Sequence, residues 1–367
     1  MKTVRRLLYG DILSAVLFVA LAFLSLFYFI DFVEELDHMS RRGAGAAAAA
    51  LLSLLKLPGH FYEIFPIAVL IGSIFSLARM AQSSEFTILR TGGLGPGRAL
   101  VLLTQLAVVF AALTFAVGDF AAPWSEKQAE LMRDRIDGGG GARGGAWLKD
   151  RQHDESGERS YSVNVKQAQV NGQLSGVRIY EFDAQGRLIS RTEAKQARVA
   201  ADGLWTLEDV QRSVWDNKSA LPMVQDQHLE QWSWRSSLHA GVIRAALLPA
   251  WTMSTAELYR YRQHLSAQEQ SAQQYDIQFW RKALYPFACL VMLALALPFA
   301  YLHGRSGGIS LKVFGGIMLG ISFVLLNNLA SHLGLLKLWT PWAVAAAPSL
   351  FYLAISLTAF TWLVRYR

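Results

Sequence analysis

The sequence carries little charge and almost no cysteine. Charged residues account for 17% of the 367 residues and hydrophobic residues for 53%, whereas soluble domains carry about 25% charged residues. High hydrophobicity with low charge excludes an intrinsically disordered chain and favours a membrane protein. The single cysteine also excludes an internal disulfide framework, a four-cysteine zinc site and a cysteine-ligated iron–sulfur cluster.

Motifs for catalysis and for metal binding are missing as well. The sequence has no GxxxxGKS/T phosphate loop and no HExxH zinc motif. The glycine-rich stretch 137–145 is typical of a flexible linker or loop. We therefore predict no catalytic residue, no metal site and no cofactor bound by this chain. Between the third and fourth apolar spans, the histidines lie at no metal-ligand spacing; they are His153, His228, His239 and His264.

Six stretches are apolar over the length that a bilayer requires, about 20 residues at a rise of about 1.5 Å each. They cover residues 12–30, 61–78, 99–118, 283–302, 313–333 and 342–364. The first is too long for the apolar region of a signal peptide and leads into the acidic run 31–37. We expect it to stay in the protein, and we predict a bundle of six transmembrane helices.

The basic residues indicate the orientation of these spans. The formal net charge is +7, and lysines and arginines lie before the first span, between the second and third, between the fourth and fifth, and after the sixth. With six spans, all four places fall on one side, which the positive-inside tendency assigns to the cytoplasm. We therefore predict cytoplasmic termini, and we attribute the positive charge to membrane orientation rather than to nucleic-acid binding.

The long segment between the third and fourth spans is predicted to be a β domain outside the membrane. Turn signals such as Asn171-Gly172 and Asp202-Gly203 separate short strand-like runs, a pattern typical of a sandwich, a jelly roll or an open barrel. The runs are 160–165, 177–182, 188–194, 196–201, 204–207, 210–215 and 227–234. The predicted domains are residues 1–122 with spans one to three, 123–252 with the β domain, and 253–367 with a connecting helix and spans four to six.

The loop between the second and third spans contains a short amphipathic segment at about residues 82–92. Ser84 is suited to cap a helix, and Phe86 and Leu89 form an apolar edge at helical spacing, which the glycines at 92 and 93 end. Two interpretations fit this segment. It is either an interfacial helix lying on lipid or a coupling helix that docks into a cytoplasmic ATPase.

Several short motifs are spread over nearly the whole chain. They are Gln82-Ser-Ser-Glu85 with Thr91-Gly-Gly93, Phe32-Val-Glu-Glu-Leu36, Phe65-Pro66, Gly118-Asp119, Ala122-Pro123, Ile179-Tyr-Glu-Phe182, Gly186-Arg-Leu188, Trp205-Thr-Leu207 and Asp209-Val210. Together with six spans around one outer β domain, they resemble the LptF/LptG permease family, the membrane subunits of the lipopolysaccharide export ABC transporter. The ending, with Asn327-Asn328 and Pro341, resembles the LptG branch more than the LptF branch.

The resemblance implies a fold, a substrate and a set of partners. The fold is a transmembrane helical bundle with an inserted periplasmic β-jellyroll-like domain, and the substrate is lipopolysaccharide of the bacterial inner membrane. The partners are an LptB-like ATPase dimer, which would use ATP and Mg²⁺, an LptF-like membrane subunit, and LptC-like and LptA-like periplasmic proteins. The ATPase-docking site would be Glu85, Phe86, Leu89 and Arg90.

The lipopolysaccharide phosphates are expected near the end of the first span. Arg41 and Arg42 suit them, with Glu34 in the same segment. Relatives tend to carry lysines there, and divalent cations bridging phosphate to carboxylate would compensate for their loss. This chain has instead Asp31, Asp37 and His38.

The apolar chains of such a substrate need an apolar path. Gly316 and Gly320 permit close helix approach and are candidates for a lateral gate, since span five meets span one of the other subunit in the family. Candidates for a vestibule between spans are Ile64, Phe65, Phe314 and Phe323. Candidates for a channel in the β domain are Tyr180, Phe182 and Trp205.

Other functions remain open from the sequence. A secondary transporter or a permease for another lipid or amphiphile would have the same spans, but a secondary transporter favours paired ionisable residues at mid-membrane, and spans one, three and six have none in their central turns. A structural anchor for the β domain would need one span rather than six. The paralogous LptF subunit is a further alternative.

Overall fold

The computed structural model describes residues 2–93, 95–136, 146–154, 157–168, 173–200, 202–216, 223–247, 250–267, 272–301 and 308–365. The chain forms two compact units. Residues 1–129 and 276–367 form the first, here the helical unit, and residues 130–275 form the second, here the sheet unit.

In the described ranges, helices both precede and follow the strands along the chain. They are α1 (Lys2–Arg41), α2 (Ala46–Gln82), α3 (Glu85–Thr91), α4 (Pro96–Ala116), α5 (Ala122–Ile136), α6 (Ala240–Leu247), α7 (Thr255–Ala267), α8 (Gln273–Leu284), α9 (Phe287–Tyr301), α10 (Ile309–Lys337) and α11 (Pro341–Arg365). A π-helical turn, Val117–Ala121, joins α4 to α5.

Five stretches of helix in the described ranges are long and apolar enough to cross a membrane: α1, α2, α4 with α5, α10 and α11. A sixth arises if α8 and α9 count as one span, bent by 51° between Leu284 and Phe287. Pro286 lies in that bend, where a proline cannot continue the backbone hydrogen bonds of the preceding turn. The predicted helical membrane bundle is confirmed.

The centre of the helical unit is α2. It is apolar on all sides, as expected for a helix that its neighbours bury, and it packs against α1, α9, α10 and the π-helical turn. Where α1 crosses α2, backbone meets backbone. A Cβ at Gly72 would lie 2.6 Å from Cα of Val16, so only glycine allows the two backbones to meet there.

The two ends of the helical unit differ in their connections. At one end, here the insertion end, the chain leaves the unit through α5 and returns through α8. The C-terminal part of α1 and the N-terminal part of α2 lie at this end. The other end, here the α3 end, carries α3, the start of α1 and the end of α9.

The sheet unit contains one antiparallel sheet whose order is the chain order. Its strands are β1 (Ala146–Asp154), β2 (Gly157–Ala168), β3 (Gln173–Phe182), β4 (Leu188–Val199), β5 (Leu204–Asp216) and β6 (Met223–Arg235). The predicted inserted β-rich domain is confirmed. Its topology differs from a jelly roll, which crosses between two sheets, because each strand in the described ranges pairs with its neighbours in sequence.

The strands are longer and fewer than the predicted runs. Run 188–194 and residues 196–199 of the next run fall in β4, and residue 201 lies outside the described residues. Runs 204–207 and 210–215 both fall in β5, where Asp209 adopts a φ of 54°. β1 was not predicted because Lys149, Asp150 and Arg151 interrupt its apolar alternation. The predicted turn at Asn171-Gly172 lies outside the described residues, whereas Gly203, with a φ of 81°, forms the turn before β5.

One face of the sheet carries the core of the sheet unit. Trp205, Leu207 and Trp234 lie on it, and Trp205 donates its indole N–H to the backbone oxygen of Leu238 at 3.1 Å. Helix α6 packs against β1 and β2. The other apolar members of this face include Leu148, Val163, Val165, Val177, Ile179 and Val210.

Candidate functional site

Helix α3 turns its apolar edge toward its own bundle. The ring of Phe86 is buried and lies edge-on to Tyr301, with 5.3 Å between ring centroids, and Leu89 packs against the same core. Glu85 is exposed, and so is Ile88, at 66%. Phe86 and Leu89 therefore face their own bundle, whereas Glu85 and Ile88 remain exposed on α3. The docking role of Phe86 and Leu89 stays a prediction.

A seven-residue helix that lies on a bundle must bury one apolar side. That requirement accounts for the inward orientation of Phe86. The backbone of Arg90 belongs to α3, but its side chain lies outside the described residues. Docking of an ATPase at Glu85 stays a prediction.

The arginines expected to bind phosphate lie where α1 ends. Arg41 donates from Nη2 to Oδ2 of Asp37 at 2.8 Å, one helical turn earlier, and both side chains are exposed. Arg42 and Glu34 are exposed as well. Exposed ion pairs contribute about 0–1 kcal/mol, so Asp37 competes only weakly for Arg41. The assignment of these residues to phosphate binding stays a prediction.

Four charged or titratable side chains meet between α1 and α2 at the insertion end. Lys56 Nζ lies 2.8 Å from Oε1 of Glu35 and 3.4 Å from Oδ1 of Asp31, and His60 Nε2 lies 2.6 Å from Oδ2 of Asp31. Both carboxylates are buried; Glu35 is 3% exposed. We call Asp31, Glu35, Lys56 and His60 the α1–α2 charge cluster.

The sequence has no lysine near the end of span one, where relatives of the resembled family tend to carry one, but the structure brings a lysine to this place. A lysine is present there in space, but it comes from α2 and is engaged by two carboxylates of α1. Before His60 is counted, two carboxylates against one ammonium leave a formal charge of −1. Lys56 therefore balances one of the two carboxylates, and both carboxylates compete with a phosphate for its ammonium group.

Three of the four predicted vestibule residues belong to the core of the helical unit. Phe65 is buried, edge-on to Phe110 at 5.6 Å between centroids, and Phe323 is buried against Tyr352 at 5.4 Å. Ile64 is buried too. Only Phe314, on α10, is exposed. Ile64, Phe65 and Phe323 therefore pack within the helical unit, and the role of the four residues in a vestibule stays a prediction.

The predicted gate glycines are covered by α2 of the same chain. A Cβ at Gly316 would lie 2.6 Å from Cδ1 of Ile74, and a Cβ at Gly320 would lie 2.8 Å from Cγ2 of Ile67. The close approach that the two glycines permit is therefore used between α10 and α2. Their assignment to a lateral gate with another subunit stays a prediction.

The inward face of the sheet is apolar over most of its area but ends in a charged patch. Glu181 is buried and accepts from Arg159 Nη1 at 2.6 Å and from the hydroxyl of Ser190 at 2.6 Å. Arg212 Nη2 lies 3.7 Å from Oε2 of Glu181 and its guanidinium stacks on Trp232 at 5.1 Å. The arginine patch, as we name it, consists of Arg159, Tyr161, Glu181, Ser190, Thr192 and Arg212.

The patch has the electrostatics of a buried ion pair. Burial, then the Glu181 carboxylate, raises the pKa of Tyr161 above its ordinary value. The hydrogen bond to Glu181 raises the pKa of Arg159 further above its ordinary value. Both shifts favour a protonated donor beside the carboxylate at neutral pH.

The predicted channel aromatics lie on two different faces of the sheet. Trp205 is buried in the inward face. Tyr180 alternates with Ile179 and Glu181 on β3, so it points to the opposite face, where it stacks on the exposed Trp147 at 5.9 Å between centroids. Phe182 also lies outside the buried core. The three side chains therefore do not share one face of the sheet, and their role in a channel stays a prediction.

The sequence matches a known protein family over nearly its whole length. Residues 6–363 match the family described as lipopolysaccharide export system permease LptF/LptG. The chain belongs to the LptF/LptG family. The permease is 26% identical over 332 residues to the lipopolysaccharide export system permease protein LptG of Haemophilus influenzae, covering 89% of each chain. It is 26% identical over 350 residues to the protein of the same name from Escherichia coli K12, covering 94% of each chain.

Sequence analysis of the permease missed two members of the α1–α2 charge cluster, Lys56 and His60. A usable signal existed, because a lysine within an apolar run needs a partner or a route to water. It also missed the patch formed by Arg159, Glu181 and Arg212. Those residues come from three strands, and only the pairing register of the sheet brings them together.

Proposed function

We propose that this permease is the LptG-type membrane subunit of an ABC transporter that extracts lipopolysaccharide from the inner membrane and passes it to a periplasmic bridge. The family match and the names of its relatives support the substrate class. Removing acyl chains from lipid costs about 0.8 kcal/mol per CH₂, so repeated extraction needs an external energy source.

That energy would come from a separate ATPase. The permease has no phosphate loop of its own, and we propose that an LptB-like ATPase dimer binds ATP and Mg²⁺ while this chain holds no cofactor. The observation that carries the proposal is the outward face of α3. An exposed carboxylate, Glu85, lies one turn from an exposed apolar side chain, Ile88, at the α3 end of the helical unit. Such a pair suits a groove with a basic rim.

The remaining partners follow from the family and from exposed helix surface. The exposed side chains of α1 include Leu17, Phe18 and Leu21, which suit lipid or an LptF-like second membrane subunit. LptC-like and LptA-like proteins would receive the substrate from the sheet unit. Under the positive-inside tendency both termini and α3 are cytoplasmic, and the sheet unit is periplasmic.

Copurification tests the ATPase proposal. The permease is coexpressed with candidate membrane and ATPase subunits, extracted in detergent and purified by a tag on this chain. Glu85→Lys and, separately, Ile88→Asp are expected to release the ATPase while the second membrane subunit stays bound. Glu230→Lys is the matched control, since it reverses an exposed carboxylate in the sheet unit.

The control should retain the ATPase at the wild-type yield. An ATPase that stays bound to both α3 variants, with normal coupled turnover, would contradict docking at α3. If no ATPase is recovered even with the unaltered chain, the transporter proposal itself is wrong.

A further inference from the structure

The arginine patch has two polar atoms with no hydrogen-bond partner among the residues that the structure describes. They are the hydroxyl oxygen of Thr192, a residue 1% exposed, and the Nε of Arg212. Thr192 and Arg212 are paired across β4 and β5, so their Cβ atoms lie about 4.5–5.5 Å apart on one face. A buried hydroxyl without a partner costs free energy that a valine of the same shape would avoid. Two such atoms side by side indicate a ligand oxygen.

The charges of the patch favour an anion. Two guanidinium groups surround one carboxylate, and that carboxylate is already engaged by Arg159 and Ser190 at 2.6 Å each. Arg212 Nη2, at 3.7 Å from Glu181, is beyond hydrogen-bond distance. The side chain of Arg212 is 28% exposed and that of Arg159 is 33% exposed. Positive charge is therefore left over at an edge that solvent reaches, while the unpartnered Nε of Arg212 and hydroxyl of Thr192 are buried.

The surroundings of the patch favour an anion attached to an apolar body. On the same face of the sheet, the next pair along β4 and β5 is Ala194 and Val210. Across the strands, Ile179 on β3 is the neighbour of Thr192, and Val163 on β2 is the neighbour of Ile179. The Arg212 guanidinium lies over the ring of Trp232, with 5.1 Å between Cζ and the ring centroid. A planar guanidinium held this way suits two oxygens of a phosphate group.

We propose that the arginine patch binds a phosphate group, and that this phosphate belongs to the amphiphile that the permease exports. Arg212 would donate from Nε and one Nη, Thr192 would donate its hydroxyl, and Arg159 would add charge from the far side of Glu181. The choice of amphiphile rests on the proposed function. Free phosphate shares the chemistry and is separated from it by the experiment.

The experiment measures ligand binding to the full-length permease in detergent by native mass spectrometry, without an ATPase. The probes are phosphorylated lipid A, the same lipid without its phosphates, and inorganic phosphate. The variants are Arg212→Gln and Thr192→Val. The control is Arg178→Gln, which removes the same charge from the opposite face of the sheet, where Arg178 pairs with Glu193 at 3.2 Å.

We expect Arg212→Gln to weaken binding of phosphorylated lipid A by about tenfold or more, since it removes charge-assisted bonds. Thr192→Val should weaken it by a few-fold, roughly what one hydroxyl contributes. Neither variant should change binding of the dephosphorylated lipid, and the control should match the unaltered protein with every probe. Thr192→Val should also raise the thermal midpoint of the ligand-free protein, which guards against a variant that merely fails to fold.

Three results would overturn the proposal. Unchanged binding of phosphorylated lipid in both variants would leave the patch a structural ion pair. An equal loss of binding for the phosphorylated and the dephosphorylated lipid would mean that the patch does not recognise the phosphate. Variant-sensitive binding of inorganic phosphate, with variant-insensitive binding of phosphorylated lipid, would assign the site to free phosphate. The copurification test is independent of these results, so the transporter proposal and the phosphate site can fail separately.

Discussion

The helical unit and the sheet unit both bury charged groups, but they complete the pairing to different degrees. In the helical unit, Lys56 bridges Glu35 and Asp31, and His60 takes the second oxygen of Asp31. In the sheet unit, Glu181 is saturated by Arg159 and Ser190, yet the buried Nε of Arg212 has no acceptor among the described residues.

This difference separates two uses of buried charge. A complete cluster between two helices fixes their relative position, because moving either helix would leave a carboxylate unpaired in a medium of low dielectric constant. An incomplete cluster at the edge of a sheet has bonding capacity left for something else. Substitutions in the helical unit should therefore act on stability, whereas Arg212→Gln should act mainly on binding.

The largest effect is expected from Lys56→Met. It removes the cation that Asp31 and Glu35 share, and breaking a buried pair from one side costs about 3–5 kcal/mol. The free energy of unfolding of the purified permease, followed by denaturant titration of its helical signal, should fall by that order. A double variant, Glu35→Gln with Lys56→Met, should recover part of the loss, because it also removes one of the stranded carboxylates. Equal stability of Lys56→Met and the unaltered chain would show that water, rather than Lys56, satisfies the carboxylates.

A smaller loss is expected from Gly72→Ala. The added Cβ would lie 2.6 Å from both Cα and backbone N of Val16, and backbone atoms cannot rotate away as a side chain can. Overpacking of this kind costs about 1–3 kcal/mol. The control is Gly10→Ala, since a Cβ at Gly10, in α1, meets nothing within 4 Å. It should be neutral or stabilising by up to about 1 kcal/mol through helix propensity.

A destabilised Gly10→Ala would show that α1 is sensitive to any added methyl group. A neutral Gly72→Ala would show that α1 and α2 separate readily. In that case charge, not backbone contact, would hold the pair together.

The architecture could be predicted from the sequence because each span is a long apolar run, and run length is a local property. The spans of the bundle and the β-rich insertion were both visible this way. The contacts of Asp31 were not, because Lys56 and His60 approach it only once α1 and α2 pack in a particular register. The same limit applies to Gly316 and Gly320, since a small-residue face does not say which helix covers it.

The orientation of α3 shows a second kind of limit. An apolar edge at helical spacing predicts burial, and burial in the chain's own bundle and burial in a partner give the same pattern. Tyr301, which covers Phe86, lies far away in sequence at the end of α9. The outward residues that remain, Glu85 and Ile88, have no periodicity of their own to reveal them.

In the sheet unit, His264 should make stability depend on pH. It lies on α7, and burial lowers its pKa from the ordinary value of 6.5, an effect that nearby His239 adds to and Asp150 opposes. The unfolded chain therefore binds a proton more readily than the folded one. The stabilising contribution is present above pH 6.5 and is lost as the pH falls through that value toward the lowered pKa of the folded state.

Replacing His264 by Leu should flatten this dependence. Amide hydrogen exchange in the sheet unit, compared at about pH 7.5 and about pH 5.5 after correction for the intrinsic rate, reports the change in stability. His228→Gln serves as the control, since that side chain is exposed. An unaltered pH dependence in His264→Leu would assign the effect to other groups.

The smallest effect is expected from Arg41→Gln. Arg41 and Asp37 form an ion pair as short as that of Lys56 and Glu35, 2.8 Å in both cases, but both side chains of the former are exposed. Water and dissolved ions solvate the exposed Asp37 carboxylate once its partner is gone. The free energy of unfolding should therefore change by less than about 1 kcal/mol, and the change should vanish as ionic strength rises. Equal bond lengths with unequal costs would show that burial, not distance, decides what a charged pair contributes. A loss for Arg41→Gln equal to that for Lys56→Met would remove the distinction between the two pairs.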